Sequence, residues 1–489
     1  MLSYLSGGCE QLAGNILSTT KAAAPDVGPD GLEQVVFVAL ALVMVGMVVG
    51  PLPIVAVAAI GYVALAVWQP SPALGLVVIS LPFVKPLYLG SFEISLTEIL
   101  IVLATVAGAI RLARMLWGPP AKLGGCLLGL KRGLRDALGD PTVSILVLLF
   151  VLAGVISLTA SVALRESLRS LRTIIIEPAL FYFLVVTQVR GRRAIATLLG
   201  ALVLAGVLIS LVGFWQYATD ERLITAEAGL RRIRGFYGSP NNLGLFLGRV
   251  LPFTFALALW WKPSRTIWLV AFLIIAVAIV LTFSIGAWLA VAVSMLVVAG
   301  LTGRRGRRLA FRGAAVAVVV GALAAWRIPR IGSHFDLQWG TSFIRLEVWQ
   351  SAARMLVMHP IQGIGLDNFL YYYQHGYRLP TAWQEPDLSH PHNFIFDFWL
   401  SLGMPGIVLF GCLVGRFIEG IASYWGMSDR FERAIYAGAA GAMVDIVVHG
   451  LVDNSFFLPD LAVLFWLIFA IVGVLQREQR RRMHVILRR

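Results

Sequence analysis

The 489-residue sequence is 58% hydrophobic and only 13% charged, yet it carries a net charge of +14. Soluble globular chains hold roughly 45–50% apolar and about 25% charged residues, so this composition excludes a cytosolic enzyme, a disordered chain and a secreted disulfide scaffold. What remains is a multispanning membrane protein, an all-α polytopic fold with no nucleic-acid partner, whose Lys and Arg report topology.

Residues 1–30 have no basic stretch ahead of an apolar run, and read as a cytoplasmic segment rather than a cleaved signal. A span needs about 20 apolar residues. That spacing predicts helices over 34–50, 52–69, 72–89, 95–116, 142–162, 171–189, 194–217, 242–261, 266–283, 285–301, 313–329, 395–424, 434–452 and 457–476. The first three are short and interrupted by Pro, so the expectation is about 12–14 transmembrane helices. They divide into a block over 31–329 with an outside Arg loop at 218–241, a long loop at 330–394, a block over 395–476 and a basic cytoplasmic tail at 477–489.

Most Lys and Arg fall in 117–141, Arg190–Arg193, Lys262–Arg265, Arg304–Arg312, 425–433 and the tail from Arg477, which places those connections in the cytoplasm. Three cysteines, Cys9, Cys126 and Cys412, suggest neither a disulfide framework nor a metal site. No internal repeat is visible, so an inverted-repeat transporter has no support. The remaining cations concentrate outside, in 218–241 (Arg222, Arg231, Arg232, Arg234) and in the long loop (Arg330, Arg345, Arg354, Arg378). That loop also holds five of the seven histidines, His334, His359, His375, His390 and His392. Its pattern predicts a helix from the Thr341–Ser342 cap to His359, with Arg345 and Trp349 on one face, then a Gly363–Gly365 turn, a cap at Asp367 and an aromatic helix. Such faces fit a cap lying on the membrane surface over a cavity.

Three segments can carry chemistry. In Arg-Arg-Ile-Arg-Gly-Phe-Tyr-Gly-Ser-Pro-Asn-Asn-Leu-Gly (231–244), cations precede a turn that opens a helix, which is an anion site suited to phosphate or an ordinary loop-to-span junction. In 389–406, His392–Asn393 stands at the mouth of a span, where a neutral imidazole serves as a general base or as a hydrogen-bonded belt residue. The His390-x-His392 pair could ligate a metal, but with no third ligand at metal spacing the expectation is no metal and no cofactor. In 447–457, His449 and Asp453 lie one turn apart at an outer face, a structural pair or a supporting one, and Arg249 inside a span must face protein or water.

Together these segments resemble the O-antigen ligase and polymerase superfamily of bacterial membrane glycosyltransferases. The likeness rests on Arg232–Gly235 with Ser239-Pro240-Asn241-Asn242-Leu243-Gly244, then Arg345, Trp349, His359-Pro360, Gly363, Gly365 and Phe369, and finally His392, Asn393, Gly403 and Gly406. Ser-Leu-Thr-Glu-Ile-Leu at 95–100 and His-Gly-Leu-Val-Asp-Asn-Ser-Phe at 449–456 extend it across most of the membrane region. The chain departs from the family at Ser284-Ile285-Gly286, where Ser-Arg-Gly is common.

The resemblance implies a C-type glycosyltransferase fold in the bacterial inner membrane, with its site facing the periplasm. It implies transfer of a glycan from polyprenyl (undecaprenyl) diphosphate to an acceptor hydroxyl: O-antigen onto lipid A-core for a ligase, or repeat onto repeat for a polymerase. A protein-glycan ligase belongs to the same class, and a lipid-linked sugar flippase is the rival from another class. His392 would be the catalytic base, with Arg232 and Arg345, then Arg231 and Arg234, on the donor diphosphate. Asn393, His390, Asn241, Arg249, His449 and Asp453 would support them. Trp349, Tyr372 and Trp383 can stack on sugars or serve as belt aromatics.

Overall fold

A computed structural model describes residues 52–84, 87–89, 92–116, 140–225, 231–327 and 340–487. The expected helix at 34–50, the segment 1–30, most of the 117–141 loop and the stretch 328–339 with Arg330 and His334 lie outside the described residues. The elements run in the order α1 (Leu52–Trp68), α2 (Pro70–Ser80), a β1–β2 hairpin (Leu87–Leu89, Phe92–Ile94), α3 (Leu96–Leu116) and α4 (Pro141–Ser157). There follow α5 (Leu164–Ser170), a π-helical turn (Leu171–Ile176), α6 (Glu177–Gln188), α7 (Gly191–Thr219) and a second hairpin, β3 (Ile224–Thr225) with β4 (Arg231–Arg232). Then come α8 (Pro240–Trp260), α9 (Arg265–Leu281), α10 (Ile285–Gly300), α11 (Arg304–Arg327), α12 (Gly340–Met358) and α13 (Phe369–Tyr372). Three long helices close the chain: α14 (Phe394–Trp425), α15 (Arg430–Gly450) and α16 (Pro459–Ile486).

Among the described residues, seven helices are long and apolar enough to cross a membrane, and four shorter apolar helices accompany them. The fold is therefore an all-α polytopic membrane protein. One expected span is revised: 72–89 holds only the 11-residue α2 before the chain turns into the β1–β2 hairpin. Pro82 explains the stop, since it cannot donate the backbone hydrogen bond that would continue the helix. Another is subdivided, because 171–189 belongs to a continuous run from Leu164 that passes through the π turn before Pro178.

α16 is the central post. Its Phe465 and Trp466 pack edge-on to Phe150 of α4, Tyr182 of α6 and Phe456, at ring separations of 5.2–5.8 Å. By contrast α4 turns Ile145, Leu148, Leu152 and Ile156 outward, each more than half exposed. An apolar face left open on so long a helix is what lipid covers.

α14 is broken rather than straight. Gly403 sits at φ 71°, ψ −175°, two residues before Pro405, and the freed backbone is taken up from the cap loop. Met404 N–H donates to Ile361 O (2.8 Å), and Ile364 N–H donates to Leu400 O (2.7 Å). Gly363 is left-handed at the same crossing (φ 68°), and a Cβ there would stand 2.3 Å from Leu400 O. A Cβ on Gly403 would stand 2.3 Å from Ile361 O. Two motif glycines 40 positions apart thus form one interlocked joint, and only glycine fits either side.

The cap is fastened to α4–α5 as well. Asn368, fully buried, accepts from Val162 N–H (3.1 Å) and Ala163 N–H (2.9 Å) and donates to Ser167 Oγ (2.8 Å). The expected Asp367 cap is not formed: Asp367 adopts φ 59° and accepts from Ser170 Oγ instead. The aromatic run makes one short α turn and continues as a wider π turn to Tyr377.

Candidate active site

Two of these segments, together with Ser284-Ile285-Gly286, form helix N-termini at one end of the bundle. Ser239 caps α8 by accepting from Asn242 N–H (3.2 Å), Ser284 caps α10 through Ala287 N–H (3.4 Å), and Asn393 caps α14 through Ile395 N–H (2.9 Å). Each leaves further backbone N–H groups unspent at the positive end of a helix dipole. The C-terminal end of α15 stands between them. His449 lies 3.3 Å from where a Gly286 Cβ would be and 3.8 Å from the corresponding point on Gly244. Asn393 donates from its side chain to Leu451 O (3.1 Å).

Arg232 bridges two of these termini. Its Nε donates to Thr282 O (2.8 Å), two residues before Ser284, and its Nη2 donates to Asn241 Oδ1 (3.0 Å). The strand carrying it is held from behind: Ile233 N–H donates to Leu281 O, and the buried Gln216 amide exchanges bonds with Gly235. Gly235 is needed for that approach, being at φ 58° with Ile209 where a Cβ would go. Arg345 on α12 lies within electrostatic reach of His449.

The other two arginines of the segment turn elsewhere. Arg231 pairs with Asp220 (3.1 Å), stacks over the Tyr217 ring at 4.6 Å and donates to Tyr217 O. Arg234 donates to Arg222 O (2.9 Å) and to Gly238 O (3.4 Å). The sequence places these three cations together, but the β3–β4 alternation separates them.

His392 adopts φ 51°, a costly backbone for a residue with a Cβ. It aims Nδ1 at Asp453 Oδ1, 2.9 Å away. Trp349 donates its indole N–H to Pro391 O (3.0 Å), so α12 grips the backbone between His390 and His392. Asp453 is buried and also accepts from Asn454 N–H (2.9 Å). Burial works against its ionisation, but the hydrogen bond from His392 and the surrounding His392, His449 and His390 rings outweigh it. They hold the carboxyl well below its usual range. Asp453 is thus an anion that fixes the His392 tautomer with Nδ1–H inward and leaves Nε2 for chemistry.

The pairing differs from the expectation. Asp453 bonds His392 rather than His449, because α15 ends at Gly450 and the chain turns out of helical register. His449 is buried with neither ring nitrogen hydrogen-bonded. His390 stacks edge-on to His392 at 4.3 Å, with Nε2 4.0 Å from Asp453 Oδ1 and Nδ1 3.0 Å from Ser389 Oγ. Burial first, then the neighbouring His392, push His390 down to about 3 despite the pull of Asp453, so it stays neutral near pH 7. The third member of this cluster is Asp453, 61 positions from His392, which the sequence singled out beside His449 but not as a third ligand for the His390-x-His392 pair.

Arg249 lies behind the site, fully buried, donating to Leu461 O (3.0 Å) and Ser455 O; it braces the Asp453 turn and does not enter the site. Tyr372 packs on His359 (5.5 Å) and Tyr377 (6.1 Å) inside the cap, while Trp383 is largely exposed at the cap surface.

Residues 269–411 match the family model described as O-antigen ligase, a stretch that runs from α9 through Arg345, the Gly363 turn and His392 to the Gly403 joint. A protein of Rickettsia felis is 31% identical over 97 residues, covering 19% of this chain and 23% of its own length. A protein of Rickettsia conorii matches to the same extent, and both carry polysaccharide ligase in their names. The chain thus spans under a quarter of these relatives, and the match to the O-antigen ligase family model covers its residues 269–411.

Proposed function

We propose that the protein is a membrane glycosyltransferase of C-type fold. It would move a glycan from polyprenyl diphosphate to an acceptor hydroxyl on the periplasmic side of the bacterial inner membrane, and act as an O-antigen ligase with lipid A-core as acceptor. The observation that carries the reading is His392, held in a strained backbone and oriented by the buried Asp453 anion, 2.9 Å away, beside a cluster of helix N-termini bridged by Arg232.

The chemistry follows from these groups. The acceptor hydroxyl gives its proton to His392 Nε2 as its oxygen bonds the anomeric carbon, and Asp453 stabilises the resulting imidazolium. The bond from the anomeric carbon to the phosphate oxygen breaks, and its electron pair leaves with the polyprenyl diphosphate. Charge grows on that leaving group, where Arg232, Arg345 and the backbone N–H groups of α8 and α10 meet it. No resident metal has a step to perform.

The test supplies purified protein with a polyprenyl-diphosphate-linked glycan and offers lipid A-core, a second donor molecule and a protein acceptor side by side. Glycosylated lipid A-core is the expected product, and chain extension of the donor would make the protein a polymerase. His392→Ala should lower transfer by about 10²–10⁴-fold while donor binding persists. Full transfer in that variant would remove His392 as the base, and a wild type that glycosylates none of the three acceptors would favour a flippase.

A further inference from the structure

We propose that His390, His392 and Asp453 form a transition-metal site, suited to Zn²⁺, whose occupancy switches glycan transfer off. The switching half rests on the transferase reading above; the binding half does not.

The three residues offer one ligand atom each, two imidazole nitrogens and a carboxylate oxygen, all within 4.8 Å of one another. Two imidazoles and a carboxylate with an open fourth position are borderline-soft donors that favour Zn²⁺ or Co²⁺ over Mg²⁺ or Ca²⁺. The supports of a metal site are present. Ser389 Oγ engages His390 Nδ1, which leaves Nε2 turned to the cluster, and Asn454 N–H fixes the Asp453 carboxylate. Trp349 pins the Pro391 carbonyl, which fixes the backbone between the two histidines. Both imidazoles are about a quarter exposed, which gives an ion an entry path.

Occupancy removes the base whichever nitrogen of His392 is used. A metal on Nδ1 displaces the proton shared with Asp453 and leaves the neutral ring with its proton on Nε2. A metal on Nε2 takes the reacting lone pair directly. In both cases the acceptor hydroxyl keeps its proton.

The experiment uses the full-length protein in detergent, freed of any affinity tag and stripped with a chelator. Cobalt(II) is added, and the visible d–d bands of a low-symmetry, four-coordinate ion are read. One equivalent of cobalt should give the bands, zinc should displace it, and His390→Ala should weaken binding about tenfold or more. His390→Gln keeps the size and hydrogen bonding of the residue without the imidazole donor, and should show the same loss if the alanine variant misfolds. Zinc at saturation should stop transfer by the wild type, and chelator should restore it. Absence of bands at saturating cobalt, or bands unchanged in both His390 variants, overturns the site. Transfer that continues with the site filled overturns the switch. Because the cobalt titration needs no substrate, it stands even if the protein transfers no glycan.

Discussion

Replacing Asp453 by Asn removes one negative charge while keeping a side chain of the same shape beside His392. The proton that His392 collects makes an imidazolium 2.9 Å from that charge. Coulomb's law at this separation gives about 6 kcal/mol for an effective dielectric of 20 and about 3 kcal/mol for 40. His392 is 24% exposed, so the lower figure applies, which corresponds to roughly a hundredfold in rate. The Asn oxygen can still accept from Nδ1–H, so ring orientation survives and the loss falls on the transition state. In a transfer assay with saturating acceptor, Asp453→Asn should therefore lower kcat by about a hundredfold and leave KM for the lipid-linked donor within about twofold. A variant within threefold of wild type, in a protein whose size-exclusion profile is unchanged, would refute the role given to this carboxylate.

The arginines divide by their partners. Arg232→Ala and Arg345→Ala should each weaken donor binding by about tenfold or more, the worth of a charge-assisted hydrogen bond, while Arg231→Ala stays within about twofold because Arg231 serves Asp220 and Tyr217; equilibrium binding of a polyprenyl diphosphate checks all three. Gly403→Ala and Gly363→Ala should each cost more than about 2 kcal/mol, seen as a lower melting temperature or loss of the monodisperse peak, since both meet a carbonyl oxygen 2.3 Å from the new Cβ. The depressed affinity of His390 for protons sets an acid sensitivity. The unfolded chain takes up a proton below about pH 6.5 that the folded chain refuses until about pH 3, so stability is full above pH 6.5 and falls as the pH drops. Between pH 7 and 5 the wild type should lose about 2 kcal/mol that His390→Gln does not lose, as read from thermal unfolding at the two pH values.

The spans were legible because a bilayer demands long apolar runs, and α3, α4, α7, α8, α9, α10, α14 and α15 lie within a few residues of where hydropathy puts them, whereas α16 continues ten residues past its expected end at 476 into the basic tail. The capping residues Ser239 and Asn393 were legible for a related reason, since an acceptor followed by an apolar run marks a helix start. What local pattern cannot carry is a pairing between distant positions. His449 and Asp453 are neighbours in sequence and invite pairing, yet a helix that ends at Gly450 hands Asp453 to His392. Likewise the spacing of Gly363 and Gly403 from His392 reads as a motif, but its cause is a backbone crossing visible only in three dimensions. The triplet Arg231, Arg232 and Arg234 reads as one basic patch until the hairpin sends its members to different faces.

The convergence of three helix starts bears on how such a chain can drift in sequence. Each positive end is worth about half an elementary charge, so α8, α10 and α14 together supply about one and a half, more than one arginine would bring. That share of the field belongs to peptide groups, which no point substitution deletes. An apolar residue such as Ile285 can therefore stand at the start of α10 while the helix end still presents positive potential. Side-chain charge here is free to vary in a way that the caps and the glycine joint are not.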